Sequence, residues 1–519
     1  MKAKFYILII MNLLVLNTVS SQFKKAVNPV LYADVPDMSI VRVGDTYYMS
    51  STTMHMNPGI PVMKSKDLIN WEILNYAYDT LADIDRTNLE NGKDEYGSGT
   101  WASCLRYHNG TYYLSSFSGT TRKSYMFTTK DIENEPWEMI TMDASYHDHT
   151  IFFDDDGKIY MIWGVDRLTL VELKSDFSGI VEGSQKVIIE KASAPAGDNM
   201  GLGGEGSQLF KVDGKYYLFN ICWPRNGMRT VVIHRADKIT GPYEGRLALQ
   251  DKGVAQGGLI DTPSGEWFAY LFRDNGAVGR IPYLVPVKWE DGWPILGVDG
   301  KVPDTLDLPA QKGLIPNIVI SDDFNWEDDD NLPLVWQWNH NPVNELWSVE
   351  DRKGYLRLTT GRVDDNFLMA RNTLTQRTIG PECSGEISID VSNMKEGDYA
   401  GLGLLQKQYG QVGVKYIDGQ KMIVMINGEE PTPIEVESIP LNQNIVYFKA
   451  ACDFNNRKDI AEFYYSLDGE SWTKIGSQLK MAYTLPHFIG YRFGLFNYAT
   501  KSSGGFVDFD YFLISDKIE

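Results

Sequence analysis

DGKIYM (156–161) and DGKYYL (213–218) are near copies of each other, and three looser copies share their pattern: GDTYYM (44–49), NGTYYL (109–114) and SGEWFA (264–269). Each sets a turn residue and a glycine ahead of alternating aromatic and β-branched residues, the pattern of a tight hairpin that feeds a strand. The glycines at 44, 110, 157, 214 and 265 are 66, 47, 57 and 51 residues apart. A four-stranded propeller blade takes about 40–50 residues plus loops, so the spacing predicts a five-bladed β-propeller. A second repeated element follows the first four hairpins: KSKDLINWE from Lys64, TTKDIENEPWE from Thr128, LKSDFSG from Leu173 and RADKITGPYE from Arg235. These read as the outer part of each blade. Two repeat types in matching order are hard to obtain by chance.

In such a fold the strand before each hairpin is innermost and begins at the central channel, so equivalent positions converge. Nine residues before Gly110, Gly157, Gly214 and Gly265 stand Trp101, Asp148, Glu205 and Gln256, and seven before Gly44 stands Asp37. Carboxylates crowded into a concave, partly dry site raise one another's proton affinity. Glycoside hydrolysis needs such a set, one carboxyl to protonate the leaving oxygen and one to activate water, with an aromatic platform for the sugar. A lone Asp beside a turn is ordinarily a cap; shared register sets these three apart. Gly203, Gly204 and Gly206 around Glu205 allow close backbone or ligand approach. Asp154, Asp155 and Asp156 read as a solvated turn.

The 519 residues suffice for two or more domains, and 13 Trp and 29 Tyr favour β structure and sugar-stacking surfaces. A net charge of −20 disfavours nucleic-acid and anionic-membrane partners. Residues 1–21 read as a signal peptide: Lys2 and Lys4, an apolar run from Phe5 to Leu16, and small residues Val19-Ser20-Ser21 before Gln22. No Cys follows as a lipid anchor, so a periplasmic or secreted protein is expected. Cys104, Cys222, Cys383 and Cys452 have no paired spacing and read as buried thiols.

The propeller segments resemble glycoside hydrolase family 43. The matching stretches are NPVLYADVPDMSIVRVGDTYYM (28–49), TWASCLRYHNGTYYL (100–114), HDHTIFFDDDGKIYMIWG (147–164), EGSQLFKVDGKYYLF (205–219) and GRIPYLVPVKWEDGWPILG (279–297). The resemblance implies Asp37 as general base, with Asp34 a second acid in the same stretch, and Asp148 as the auxiliary carboxylate that tunes and orients the acid. It implies Glu205 as general acid, Trp101 as stacking platform, and Arg280 as an arginine approaching substrate and Asp148. Gln256 stands where many members carry a channel histidine and is taken as substrate-binding. The implied mechanism inverts configuration, with carboxyls about 6.5–9.5 Å apart. The sequence departs from the family at PDMS (36–39), WAS (101–103) and HDHT (147–150).

The expected domains are the propeller over 22–302, a Pro-punctuated linker over 303–319 and a β-sandwich over 320–519. The last resembles the concanavalin-A-like domain of family β-xylosidases, which implies a structural Ca²⁺ with Asp322 and Asp508 as ligands; no cofactor is expected for catalysis. The function expected is exo-acting release of α-L-arabinofuranosyl groups from plant hemicellulose, arabinoxylan or xyloglucan, with a β-D-xylosidase or bifunctional enzyme as one alternative and an inactive carbohydrate-binding protein as another.

Overall fold

The computed structural model describes residues 25–326 and 332–518; the signal-peptide segment lies outside them. Five antiparallel sheets of four strands succeed one another along the chain: 39–78, 100–142, 150–189, 200–249 and 255–296. Each repeat glycine lies in or beside the connection between the first and second strands of its blade, as the hairpin pattern predicts. The five first strands, Ser39–Val43, Thr100–His108, Thr150–Phe153, Met200–Val212 and Ala255–Asp261, neighbour one another in a closed ring. Blades stack face to face, so the second strands are buried on both sides. Thr46–Ser50 (TYYMS) is buried at every position, and apolar or small residues therefore run on without strict alternation. The segment after the fifth blade contributes Thr305–Leu306, which pairs with Ala26–Val27, so the start and end of the propeller are tied together.

The C-terminal part is a concanavalin-A-like sandwich of a seven-stranded and an eight-stranded antiparallel sheet. The last strand of the larger sheet belongs to the propeller: Met56–Asn57 pairs with Trp338–Asn339. The Asn57 side chain also donates to Asn341 Oδ1 at 2.7 Å. All four cysteines are buried free thiols. Cys383 and Cys452 face each other across neighbouring strands, a pairing their separation in sequence hides.

The two acids expected to hold calcium are committed elsewhere. Asp322 accepts from the Trp326 and Trp336 indoles at 2.9 and 2.8 Å and from the Phe324 amide at 2.9 Å. Asp508 accepts from Arg357 at 2.7 and 3.1 Å and from Arg352 at 3.1 Å. Asp322 bridges Phe512, four residues beyond Asp508 on one strand, a separation of about 13 Å along it. Two carboxylates so placed and so satisfied do not share a cation, and the calcium expectation is corrected.

Candidate active site

The first strands of the blades start irregularly, and the irregularities aim the side chains. Ladder register slips between Thr100 and Ser103, on both sides of Glu205, and between Ala255 and Gly257. Such bulges twist a strand end and re-aim its residues. Asp37, Asp148 and Gln256 share a left-handed backbone, with φ of 53°, 47° and 55°. Non-glycine residues hold that conformation only where their surroundings impose it. In the fourth blade the turn falls to Gly206 (φ +64°), where a Cβ would lie 2.9 Å from the Gln256 amide.

Asp37 is buried and held by three hydrogen bonds: Thr52 Oγ1 donates to Oδ2 at 2.7 Å, and Arg280 Nη1 donates to Oδ1 and Oδ2 at 3.0 and 2.8 Å. Burial opposes the Arg280 charge, but Asp37, with Tyr483, Asp34 and Asp274 adding to it, outweighs that cost and the guanidinium pKa is raised. Arg280 thus pairs with Asp37; the expected partner, Asp148, receives no hydrogen bond from it. Asp34 takes a different part. Its carboxylate accepts from the Arg280 amide at 2.7 Å and from the Gly490 amide of the sandwich at 2.8 Å. A Cβ on Gly490 would meet the Val278 carbonyl oxygen at 2.3 Å, so glycine permits this approach. Asp34 is a bracket between domains, and Asp37 is the acid that faces the channel.

Asp148 and Glu205 meet at His147, a residue the register argument passed over. His147 Nε2 lies 3.1 Å from Glu205 Oε2 and 3.7 Å from Asp148 Oδ2. Burial pushes the Asp148 carboxyl up to about 7; His147 works against that rise, and Glu205 and Asp37 add to it. For His147, burial disfavours the charged form, but Glu205 and Asp148 outweigh it and raise the imidazole to about 9. Groups this close exchange protons as one set. Against the family's D-P-S the departures in HDHT fall at His149 and Thr150, and His147, which joins the auxiliary carboxylate to the acid, stands just before that motif. The sequence showed this histidine but not the direction of its side chain, which depends on the turn at Asp148.

Trp101 forms a wall, its ring 5.9 Å from Phe117 and 5.2 Å from Phe488. Phe488 belongs to the sandwich, and the Arg280 guanidinium lies 4.5 Å from its ring centre. No motif marked this residue. Gln256 lies against Gly206, in a small cavity it lines with Asp37, Ser103, Asp148, His149 and Ser207. At 9% exposed it is about as buried as Asp37 and Asp148, at 7% and 6%, and shares the channel wall with them.

A propeller whose axial mouth gathers two potential proton carriers and an arginine-held carboxylate has the parts of a glycosidase. The Glycosyl hydrolases family 43 model matches residues 26–294, and the Beta xylosidase C-terminal Concanavalin A-like domain model matches 321–515. The chain belongs to glycoside hydrolase family 43. A bifunctional GH43-CE protein from Bacteroides eggerthii is 67% identical with a TM-score of 0.94, over 96% of this chain and 64% of that one; this chain thus spans under two thirds of that relative's length. A beta-xylosidase from Formosa agariphila is 29% identical over 94% of this chain and 89% of its own. A non-reducing end alpha-L-arabinofuranosidase from Bacteroides ovatus is 29% identical over 69% of each.

Proposed function

We propose that the protein is an exported, exo-acting, inverting pentosidase that releases terminal α-L-arabinofuranosyl or β-D-xylosyl units from plant hemicellulose or its oligosaccharides. The observation that carries this reading is the meeting of Asp37, Asp148 and Glu205, from the first, third and fourth blades, at one mouth. Asp37, aligned by Arg280 and Thr52, accepts the proton of a water that attacks the anomeric carbon. Glu205 gives its proton to the departing glycosidic oxygen. The C–O bond to the leaving group breaks as the bond to water forms, and configuration inverts. Asp148 and His147 fix the orientation of Glu205 and return a proton to it after each turnover. Trp101 offers an apolar face to the sugar ring.

The exo mode is supported by the sandwich. Phe488 on Trp101, and the bond from Gly490 to Asp34, wall one side of the mouth. The relatives' names include both a beta-xylosidase and an alpha-L-arabinofuranosidase; the two sugars are close in shape, and α-L-arabinofuranosyl release is the reading favoured here. The test compares hydrolysis of p-nitrophenyl α-L-arabinofuranoside and β-D-xyloside by wild type and Glu205→Ala. Cleavage of the arabinofuranoside, lost in the variant, supports the proposal. Cleavage of neither compound, with hemicellulose still bound, favours the inactive binding protein.

A further inference from the structure

His147, Asp148 and Glu205 present one imidazole nitrogen and two carboxylates on one wall, and their ligand atoms all lie within 4.8 Å of one another. A tetrahedral Zn²⁺ with nitrogen and oxygen ligands at about 2.0–2.2 Å sets neighbouring ligand atoms about 3.3 Å apart. The separations of 3.1 and 3.7 Å from His147 Nε2 bracket that value, so the trio would close on the ion by small side-chain adjustments. The His147 side chain is 38% exposed and open to an arriving ion, whereas Asp148 and Glu205, 7% and 17% exposed, supply ligands that water does not readily replace. The nearby Arg280 charge is matched by Asp37, so the field at the trio is that of its own carboxylates. Borderline-soft divalent cations favour such a mixed imidazole and carboxylate set over Mg²⁺ or Ca²⁺.

We infer that His147, Asp148 and Glu205 form a binding site for one Zn²⁺-like divalent cation, and that its occupancy inhibits hydrolysis by taking the oxygen that Glu205 uses to protonate the leaving group. The ion is an inhibitor, and the hydrolytic steps use none. The inhibition rests on Glu205 acting as the acid in the proposed function; the binding does not.

The test titrates the full-length protein with ZnCl₂ against a chromophoric chelator and, separately, follows aryl pentoside hydrolysis at several zinc concentrations. Expected are one equivalent bound in the micromolar range and inhibition that lowers kcat as the site fills, because an enzyme whose acid oxygen is held by the ion cannot protonate the leaving group. Both His147→Gln and Glu205→Gln should weaken binding by at least about 10-fold, whereas His108→Gln, far from the site, should not. Absence of saturable binding below about 1 mM, or equal binding by wild type and His147→Gln, overturns the inference. Zinc bound as expected by a protein that hydrolyses no pentoside upholds the site and fails the proposed function. Hydrolysis without zinc binding fails the site alone.

Discussion

The acids at the propeller mouth and the acids of the sandwich are equally hidden and oppositely placed. Asp37 and Asp148 are 7% and 6% exposed, and Asp322 and Asp508 are 7% and 2%. Burial therefore does not separate them. Asp322 is saturated by two indoles and an amide, and Asp508 by two arginines. Asp148 instead sits among His147, Glu205 and Asp37, where its proton is contested. Asp37 is as fully bonded as the sandwich acids, by Thr52 and Arg280, and differs from them in lining the channel cavity, whereas Asp148 differs in its competing neighbours.

Substitution should separate the two groups most strongly in turnover. Asp37→Asn is expected to lower kcat on aryl pentosides by about 10³-fold or more, in the range of general-base loss. Asp34→Asn, which touches the bracket, should keep kcat within about 10-fold. Equal losses in both variants would break the distinction between base and bracket.

In the sandwich the effect should appear in stability. Asp322→Ala leaves the Trp336 and Trp326 indoles without an acceptor and should cost about 2–4 kcal/mol in denaturant unfolding, with kcat unchanged below the transition. A chelator should leave the wild-type melting temperature where it was; a fall would revive the calcium ligands.

Phe488→Ala tests whether the sandwich reaches the site. Removal of this ring from Trp101 and Arg280 should lower kcat/KM about 10-fold, and an unchanged value would confine the site to the propeller.

The smallest effect lies in pH. The folded-state carboxyl of Asp148, pushed up to about 7, binds its proton more tightly than an ordinary carboxyl near 3.8. Its contribution to stability is full below the lower value and is lost as pH rises through the higher one. The melting temperature of Asp148→Asn relative to wild type should therefore rise between pH 4 and 8; a relative fall contradicts the contested proton.

Much of this was legible in the sequence because a propeller converts period into place. The repeat glycines located the inner strands, and counting back from them brought Asp37, Trp101, Asp148, Glu205 and Gln256 to one channel. Side-chain direction was not legible: bulges and left-handed turns set it, and they turned Gln256 against Gly206 and swung His147 onto Glu205. Phe488 was hidden because it comes from the other domain and has no repeat to index it. Asp322 and Asp508 misled because sequence shows an acid near a strand but not the indoles and guanidinium groups folded against it.

On the proposed mechanism Glu205 is the group that protonates the leaving oxygen. The direct measurement is kcat/KM of Glu205→Gln on two substrates with the same pentosyl group, one with a p-nitrophenolate leaving group and one with an alkyl alcohol. Because the activated phenolate departs with little help, the loss should be far smaller for the aryl glycoside than for the alkyl one, by about 10²-fold or more. Equal losses on both would show that Glu205 acts elsewhere in the reaction.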